Sequence, residues 1–336
     1  MMHQQINDGG RTEAAILKVL HDSQQPLGGR VVARRLGDLG IELGERAVRY
    51  HLKLMEERGL THTVGRRDGR LITQTGIEEL KSALITDRVG LVTAKIGTLA
   101  YQSSFDLRKR LGEVPVNVSL FPDDEFSRAL KIMANIFSAG LGSGDLISVA
   151  HAGEKLGEEI VPSGKVGLAT TSHIAICGAL LRAGIPVEPR FGGILQIQKH
   201  EPLRFVDLVE YAGCSLDPSK VFIAGGMTSV REAAKDGNGK ILASFCELPA
   251  VARPKAEAII NELEEAGLKG PLMLGKTGET VFQFPVAADR VGMVLADGLN
   301  PVAATAEAGI RVTNHAMSGT IDFVKLASFR DWQAGR

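Results

Sequence analysis

The chain has 336 residues and carries 39 basic and 39 acidic side chains, so its formal charge is zero. Apolar residues make up 44% and charged residues 23%, a composition that is typical of globular proteins and excludes an intrinsically disordered chain. The length predicts two or three domains, and no stretch reaches the roughly 18 consecutive apolar residues of a membrane-spanning helix.

The cysteines and the first residues predict a reducing, cytoplasmic location. Cys177, Cys214 and Cys246 are odd in number, far apart and form no C-x-x-C pair, which indicates neither a disulfide framework nor a structural zinc site. Residues 1–10 are polar and lack the apolar core of a signal peptide. We therefore expect no metal site and no membrane partner.

Residues 1–86 are predicted to form a winged helix-turn-helix domain. Two helices with a 3.6-residue apolar period are followed by a glycine-bounded turn and a third helix over 45–58. Two short extended runs, 61–64 and 70–73, flank a basic turn, and Thr75 opens a fourth helix with a capping-box pattern. Helix order, turn and wing all agree with this one fold.

The exposed face of the third helix and the wing are rich in cations. Residues 1–75 hold 12 basic and 9 acidic side chains, and the basic ones cluster. A helix fits the major groove and reads base edges there, while wing arginines contact phosphates or a minor groove. The residues predicted to bind a double-stranded DNA operator are Arg46, Arg49, Tyr50 and Lys53 on the helix, and Arg66, Arg67 and Arg70 on the wing. The alternatives are a charged face that only solvates the helix, and a winged helix that contacts protein.

An internal duplication follows a helical connector over 87–112. Residues 165–187 match 290–312 at a constant offset of 125, with 7 identities in 23 positions. Each copy, 113–215 and 216–336, has the predicted element order βαββαβ, which is the split order of ferredoxin-like folds. The predicted fold class is therefore α+β, with the winged helix in front of a duplicated sensor domain.

The two sensor copies are expected to pack about a pseudo-twofold axis. We predict mixed sheets that are covered by helices, with a ligand cleft between the copies. Turns that precede helices are the candidate ligand contacts, because free N–H groups and a partial positive charge at a helix N-terminus can hold a carboxylate.

The candidate effector residues combine these turns with nearby cations. The predicted effector-binding residues are Thr171, Ser172 and His173 in the first copy, Gly298 and Asn300 in the second, and Arg190 and Arg253 in loops. His151 and His315 also lie near loops, where they could pair with a dianion. Simple helix capping is the alternative at Ser172 and Asn300.

Motifs that carry enzyme chemistry are missing from the sequence. Gly140–Gly144 is rich in glycine but lacks the lysine of a phosphate-binding loop and precedes a strand. Neither H-E-x-x-H nor G-x-S-x-G occurs, and the eight histidines are scattered. We therefore predict no catalytic residues, no metal and no cofactor.

Motifs spread over most of the C-terminal part resemble the NrpR family of transcriptional repressors of nitrogen-assimilation genes. They are Phe105-Asp106, 116–119, 166–170, 183–187 with 191–193, 244–249, 298–303 and 316–323. The resemblance implies an operator-binding homodimer or higher oligomer, with one sensor domain, whose DNA affinity falls when 2-oxoglutarate binds. The chain departs from the family at Cys246, where an arginine is common, and this puts ligand selectivity in question. The alternatives are a metabolite-binding module or enzyme whose winged helix contacts protein, and a corepressor that needs a partner to bind DNA.

Overall fold

The computed structural model describes residues 2–23, 25–38, 40–65, 69–80, 90–269 and 271–334, with side chains from residue 12 onward. The chain divides into two compact units, Met1–Val89 and Gly90–Arg336. The first unit is mainly helical with a small sheet, and the second is rich in sheet, so the α+β class is confirmed. No described helix combines the length and apolar character needed to cross a membrane.

The N-terminal unit is a winged helix. Its elements are α1 (Met2–Ser23), α2 (Gly29–Asp38), α3 (Glu45–Glu57), β1 (Thr61–Thr63), β2 (Arg70–Ile72) and α4, which is described over 74–80. β1 and β2 pair in antiparallel fashion and form the wing. The predicted cap of α4 is wrong by two residues, since the hydroxyl of Thr73 accepts the amide N–H of Gly76 at 3.0 Å and Thr75 lies inside the helix.

Apolar side chains at helical spacing hold the three main helices of this unit together. Leu20 of α1, Leu36 of α2 and Val48, Leu52 and Met55 of α3 are all buried in one cluster. Burying such side chains contributes about 1.5–3 kcal/mol each. The face of α3 that carries Val48, Leu52 and Met55 is thereby fixed inward, and the opposite face lies in solvent.

The C-terminal unit begins with one helix and alternates strands and helices thereafter. Its elements are α5 (Leu91–Gln102), β3 (Glu113–Pro122), α6 (Asp123–Ser138), β4 (Leu146–Ala150), β5 (Lys155–Leu156), β6 (Glu159–Ile160), β7 (Lys165–Thr171), α7 (Ile174–Arg182), β8 (Glu188–Gln198), β9 (Glu201–Glu210), α8 (Pro218–Ala224), α9 (Val230–Asp236), β10 (Gly239–Pro249), α10 (Arg253–Glu265), β11 (Pro271–Leu274), β12 (Arg290–Ala296), α11 (Asn300–Glu307), β13 (Thr313–His315), β14 (Thr320–Asp322), β15 (Ala327–Ser328) and α12 (Phe329–Ala334). β9, α8 and α9 were not predicted from the sequence.

Two larger sheets organise this unit. One has the strand order β13-β3-β7-β4-β15, with β14 also pairing with β3, and the other has the order β11-β12-β10-β8-β9. The prediction of mixed sheets is wrong, because every strand pairing in the described residues is antiparallel.

The last predicted strand of each of the segments 113–215 and 216–336 lies in a sheet built mainly by the other segment. β8 pairs with β10, and β14 pairs with β3, as does β13, which was not predicted. The segments 113–215 and 216–336 are therefore not separate bodies. β10 and β3 each need a strand from the other segment to satisfy the backbone hydrogen bonds along one of their sides.

The main core of this unit draws on both sheets. Phe121 of β3, Phe191 of β8 and Phe245 of β10 are fully buried in one cluster. The rings of Phe191 and Phe245 stack with centroids 5.0 Å apart, so an exchanged strand packs its largest side chain on the strand that receives it.

Candidate DNA-binding surface and effector site

The predicted reading face of α3 lies in solvent. Arg46, Arg49, Tyr50 and Lys53 are all exposed, and the ring of Tyr50 is 62% exposed. This follows from the helical period, because the buried stripe of α3 fixes which face is turned outward. Four side chains able to donate hydrogen bonds or contact phosphates are thus presented on one side of one helix.

Two cations of this face pair with carboxylates on the same helix. Arg49 lies 2.6 Å from Glu45 and Lys53 lies 3.8 Å from Glu57, each at i,i+4 spacing, and the Arg49 and Lys53 side chains are 70% and 71% exposed. Exposed pairs of this kind contribute only about 0.3–0.5 kcal/mol. Both cations can therefore exchange their carboxylate for a phosphate or a base edge at little cost.

Of the three predicted wing arginines, the structure describes only Arg70. Arg66 and Arg67 lie outside the described residues. Arg70 donates to Glu56 at 2.7 Å and to the hydroxyl of Thr63 at 3.3 Å, and its side chain is only 21% exposed. Arg70 thus links the wing to α3, a role that the sequence did not predict, and it is less available to a phosphate than the α3 cations are.

The contacts of Glu56 predict that the stability of the wing depends on pH. Hydrogen bonds from Thr63 and then Arg70 lower the pKa of Glu56 below its ordinary 4.5. A lowered carboxyl pKa stabilises the fold above pH 4.5, and this contribution is lost as pH falls through the lowered value. We expect Glu56→Gln to destabilise the wing at pH 7, by about 1 kcal/mol or less for a partly exposed pair, and the difference from wild type to shrink as pH falls below 4.5 through the lowered pKa.

Hydrogen exchange of the 61–72 amides in the full chain measures this difference. Glu57→Gln is the matched control, since its carboxylate makes only the 3.8 Å exposed pair with Lys53. A Glu56→Gln effect of the same size at pH 7 and pH 3 would contradict the assigned role of the ionised carboxylate.

The side chains of Thr171 and Ser172, which precede α7, make structural hydrogen bonds. The hydroxyl of Thr171 donates to the carbonyl of Ser143 at 3.0 Å, and the hydroxyl of Ser172 accepts the amide N–H of Ile174 at 3.3 Å. Both side chains are buried. Ser172 therefore makes the local contact of a helix-capping residue, which is the alternative left open by the sequence.

Gly298 and Asn300 make structural contacts that leave little room or hydrogen-bonding capacity for a ligand. A Cβ at Gly298 would lie 2.0 Å from the carbonyl oxygen of Thr171, so the backbones of the two segments meet there. The Asn300 amide accepts from the N–H of Leu242 at 2.8 Å and donates to the carbonyls of Leu242 and Leu141 at 2.9 and 2.7 Å. Asn300 is fully buried and its side chain has little capacity left for a ligand.

Three polar atoms beside this junction are buried without a hydrogen-bond partner among the described residues: Asn117 Nδ2, Thr170 Oγ1 and His173 Nδ1. Asn117 and Thr170 face each other across β3 and β7, and Asn117 Nδ2 is 3.1 Å from a Cβ built on Gly298. Buried polar groups normally have partners, so these atoms are candidates to contact a ligand. We call Asn117, Thr170 and His173 the Thr170 cluster.

The charge of Asp297 acts on His173 of the Thr170 cluster, and the charge of Asp297 also acts on a second carboxyl group, Asp217. Asp297 accepts from the hydroxyl of Ser219 at 2.5 Å and from the amide of Leu299 at 2.9 Å. Burial, and then the charge of Asp297, raises the pKa of Asp217 to about 7, and burial lowers the pKa of His173 against the opposing effect of Asp297. Burial therefore favours the neutral imidazole of His173 at neutral pH, and it brings the pKa of Asp217 into the neutral range.

The two predicted effector arginines lie away from this cluster and bind carboxylates. Arg190 is 3.0 Å from Glu188 and 4.0 Å from Glu247. Arg253 donates to the carbonyl of Gly275 at 2.9 Å and pairs with Glu257 at 3.0 Å. Glu247 pairs with Gly292, five residues along β12 from Asp297, which corresponds to about 16 Å.

The remaining predicted histidines contact carboxylates. His315 pairs with Glu159 at 3.0 Å, and the backbone amide of His151 donates to Glu154 at 2.6 Å. The described residues contain no group of three or more His, Cys, Asp or Glu side chains that could hold a metal ion.

A large open groove of this unit does not coincide with the predicted site. It has a volume of about 1200 Å³, lies between α6 and α9 and includes none of the predicted effector residues. Its Glu307 carboxylate accepts from the Val230 and Arg231 amides at 2.7 and 3.0 Å, and from the hydroxyl of Thr228 at 2.7 Å. That carboxylate is occupied in holding the start of α9.

Asn117, Thr170 and Asp297 were not predicted as site residues from the sequence. A signal was present for Thr170, a polar residue on the inward face of β7 next to the apolar Leu168, and a weaker one for Asn117, which shares its face of β3 with Ser119 and Phe121. No signal in the sequence placed Asp297 beside Asp217, since that contact depends on the folded arrangement.

Comparison with known proteins gives consistent matches over both units. The family model described as NrpR regulatory domains NRD1 and 2 matches residues 89–328, and the Ribonuclease R winged-helix domain model matches residues 14–80. A solved structure described as a nitrogen repressor-like protein from Methanococcus jannaschii is similar with a TM-score of 0.60 and 26% identity, covering 71% of this chain and 98% of that one.

Three curated proteins are also similar to the chain. The global nitrogen regulator NrpRI of Methanosarcina mazei is 37% identical over 96% of this chain and 98% of its own length. The global nitrogen regulators NrpR of Methanococcus maripaludis and Methanocaldococcus jannaschii are each 31% identical, over 88% and 93% of this chain. The chain spans about half the length of these last two, 51% and 54%.

Proposed function

The chain belongs to the NrpR family, and from that premise we propose that it is a DNA-binding regulator of nitrogen-related genes that represses them as a homodimer or higher oligomer. Its named relatives are nitrogen regulators rather than enzymes. The observation that carries DNA binding is the exposed face of α3, where Arg46, Arg49, Tyr50 and Lys53 stand opposite the buried stripe of a winged helix.

We further propose that the C-terminal unit arose by duplication of a βαββαβ segment, and that its two halves are related by a pseudo-twofold axis. The constant offset between 165–187 and 290–312 supports this proposal, and so does the strand order. The order β4-β7-β3 followed by β13 and β14 corresponds to the order β11-β12-β10-β8. In each sheet the fourth strand comes from the other half.

The proposed effector is a small dicarboxylate, by resemblance 2-oxoglutarate, and the proposed site is the Thr170 cluster. Its unpartnered hydroxyl, amide and imidazole can hydrogen-bond carboxylate and keto oxygens. Asp217 is close to its pKa at neutral pH and interacts with Asp297, so it can take up a proton as an anion enters and thereby reduce the negative charge near the site. We therefore expect effector binding to strengthen from pH 8 to pH 6.

The proposed mechanism is a two-state coupling. An effector that binds one arrangement of the paired winged helices better than the other shifts the population toward that arrangement. Operator binding by two recognition helices needs a spacing of about 34 Å, one helical turn of DNA. A coupling of about 1–3 kcal/mol would lower DNA affinity by about 5–150-fold when the effector binds.

Fluorescence anisotropy of labelled promoter duplexes tests this function. We expect sequence-selective binding of the full chain and a loss of affinity of about 5–150-fold with saturating 2-oxoglutarate. Glutarate, which lacks the keto oxygen, is the control ligand. Binding that is weak and indifferent to sequence would contradict the regulator proposal and favour a winged helix that contacts protein.

Substitutions of two neighbouring threonines test ligand binding and folding stability separately. Thr170→Val removes a hydroxyl with no partner in the described residues, so we expect an unchanged melting temperature and a lost response to 2-oxoglutarate. Thr171→Val removes the hydrogen bond to Ser143 and should cost about 1 kcal/mol of stability. A normal 2-oxoglutarate response in Thr170→Val would place the effector elsewhere while leaving the DNA-binding proposal untouched.

A further inference from the structure

β9 is a long edge strand whose outer side is unpaired among the described residues. Its ten residues, Glu201–Glu210, pair only with β8, and they end the sheet that runs from β11. Such an edge presents a row of free backbone N–H and C=O groups, which is a template for pairing with another strand. The opposite edge strand of the same sheet, β11, has only four residues.

Exposed apolar side chains concentrate on β9 and the segment after it. Of the fifteen large apolar side chains that are exposed in the described residues, six lie between residues 203 and 227. On β9 itself Leu203, Val206 and Leu208 are 39%, 36% and 43% exposed. A concentration of this kind on a sheet edge is typical of a surface that another protein covers.

The outward placement of these side chains is fixed by the backbone. The pairing with β8 skips Leu203 and Val206, so each is the extra residue of a bulge. Between them, the ring of Phe205 turns inward and packs edge-on against Phe191, with centroids 4.9 Å apart. The ring of Phe205 therefore anchors β9 to Phe191, while the bulged residues Leu203 and Val206 have no partner on β8.

The charges of β9 favour pairing with a second copy of the same strand in the antiparallel sense. Glu201 and Arg204 lie in the first half of β9, and Asp207 and Glu210 lie in the second, so the strand's single cation is offset from the two anions of its second half. Antiparallel self-pairing lays Arg204 of one copy against the Asp207–Glu210 end of the other, twice by symmetry. Parallel pairing would instead align like charges.

We propose that β9 is the surface through which two copies of this chain associate, antiparallel about a twofold axis near Val206. The two five-stranded sheets then join into one continuous sheet, and Leu203, Val206 and Leu208 of both copies are buried at the junction. The inference deepens the proposed function, because it names the surface that pairs two winged helices for a symmetric operator.

Symmetric cross-linking of the full chain tests the geometry. In a Cys214→Ser background, which leaves Cys177 and Cys246 buried, Val206→Cys should form a disulfide-linked dimer under mild oxidation. Val251→Cys is the matched control, since Val251 is 93% exposed but lies on another segment, and it should stay uncross-linked. Absence of a Val206→Cys cross-link, or equal cross-linking of the control, overturns the proposal.

Charge reversal tests the same surface without cysteine chemistry. Sedimentation equilibrium should give twice the chain mass of 35.8 kDa for the wild type. Arg204→Glu should raise the dimer dissociation constant at least about 10-fold, and adding Asp207→Arg should restore most of the affinity. A monomeric wild type, or a dimer indifferent to both variants, overturns the inference. Operator binding is measured separately. A dimer that binds no DNA would contradict the regulator proposal but would still support this interface.

Discussion

Replacing Arg49 and Lys53 together with alanine is expected to weaken operator binding by at least about 30-fold. Each contact from a recognition helix is worth about 1–3 kcal/mol, and both side chains lie on the exposed face of α3. The fold should be unchanged, because the two substitutions remove only the exposed ion pairs with Glu45 and Glu57. Anisotropy titrations at several salt concentrations measure the effect. The salt dependence should also flatten, by about 0.9 in slope for each phosphate that the protein no longer neutralises.

The matched control removes two equally exposed cations from the C-terminal unit. Lys235→Ala with Lys276→Ala takes away side chains that are 81% and 76% exposed, with the same change in net charge. We expect operator affinity to stay within about twofold of wild type. Equal losses in the two double variants would mean that α3 acts through general charge alone, and an unchanged affinity in Arg49→Ala/Lys53→Ala would refute its assignment as the reading helix.

Asn300→Ala is expected to lower the free energy of unfolding by about 2–6 kcal/mol. The substitution removes the partner of the Leu242 amide and of the Leu141 carbonyl in a fully buried place, at about 1–3 kcal/mol for each group, while the Leu242 carbonyl keeps the amide N–H of Asp297 at 3.1 Å. The cost is large because one side chain ties α11 of the second half to β10 and to the 141–145 loop of the first. Urea unfolding of the C-terminal unit, followed by the fluorescence of Trp332, measures it.

Asn135→Ala is the control for this experiment. Asn135 is exposed on α6, and its removal should change stability by no more than about 0.5 kcal/mol. Gly298→Ala offers an independent test of the same junction, because its Cβ would meet the Thr171 carbonyl at 2.0 Å and must force the two backbones apart. If Asn300→Ala proved as stable as Asn135→Ala, the side chain would not be a link between the halves.

The exchange of strands explains why substitutions at this junction are expected to destabilise the fold strongly. β8 leaves the first half to join β10, and β13 and β14 leave the second half to join β3, so neither sheet is complete within one half. Asn300 and Gly298 lie where the two halves meet, and the Thr170 cluster lies beside them. A ligand bound there would contact the region through which the halves hold each other, which is the physical basis for coupling in the proposed mechanism.

Local patterns in the sequence were sufficient for much of the fold. Val48, Leu52 and Met55 at helical spacing determined which face of α3 is buried, and therefore that Arg46, Arg49, Tyr50 and Lys53 are exposed. Many strands and helices of the C-terminal unit were predicted within a few residues, since their apolar runs and glycine boundaries are local signals. The exposed edge strand β9 was missed because bulges at Leu203 and Val206 break its alternation.

The winged helix, its cationic face and the alternation of strands and helices behind it can be predicted from sequence alone, because those features depend on neighbours within about four residues along the chain. Three other features arise only when distant segments pack: Glu56 holds Arg70, the side chain of Asn300 crosses between the halves, and each half gives its last strand to the other. These outcomes depend on which residues meet in the folded chain, and contact across such distances leaves no periodic trace in a single sequence.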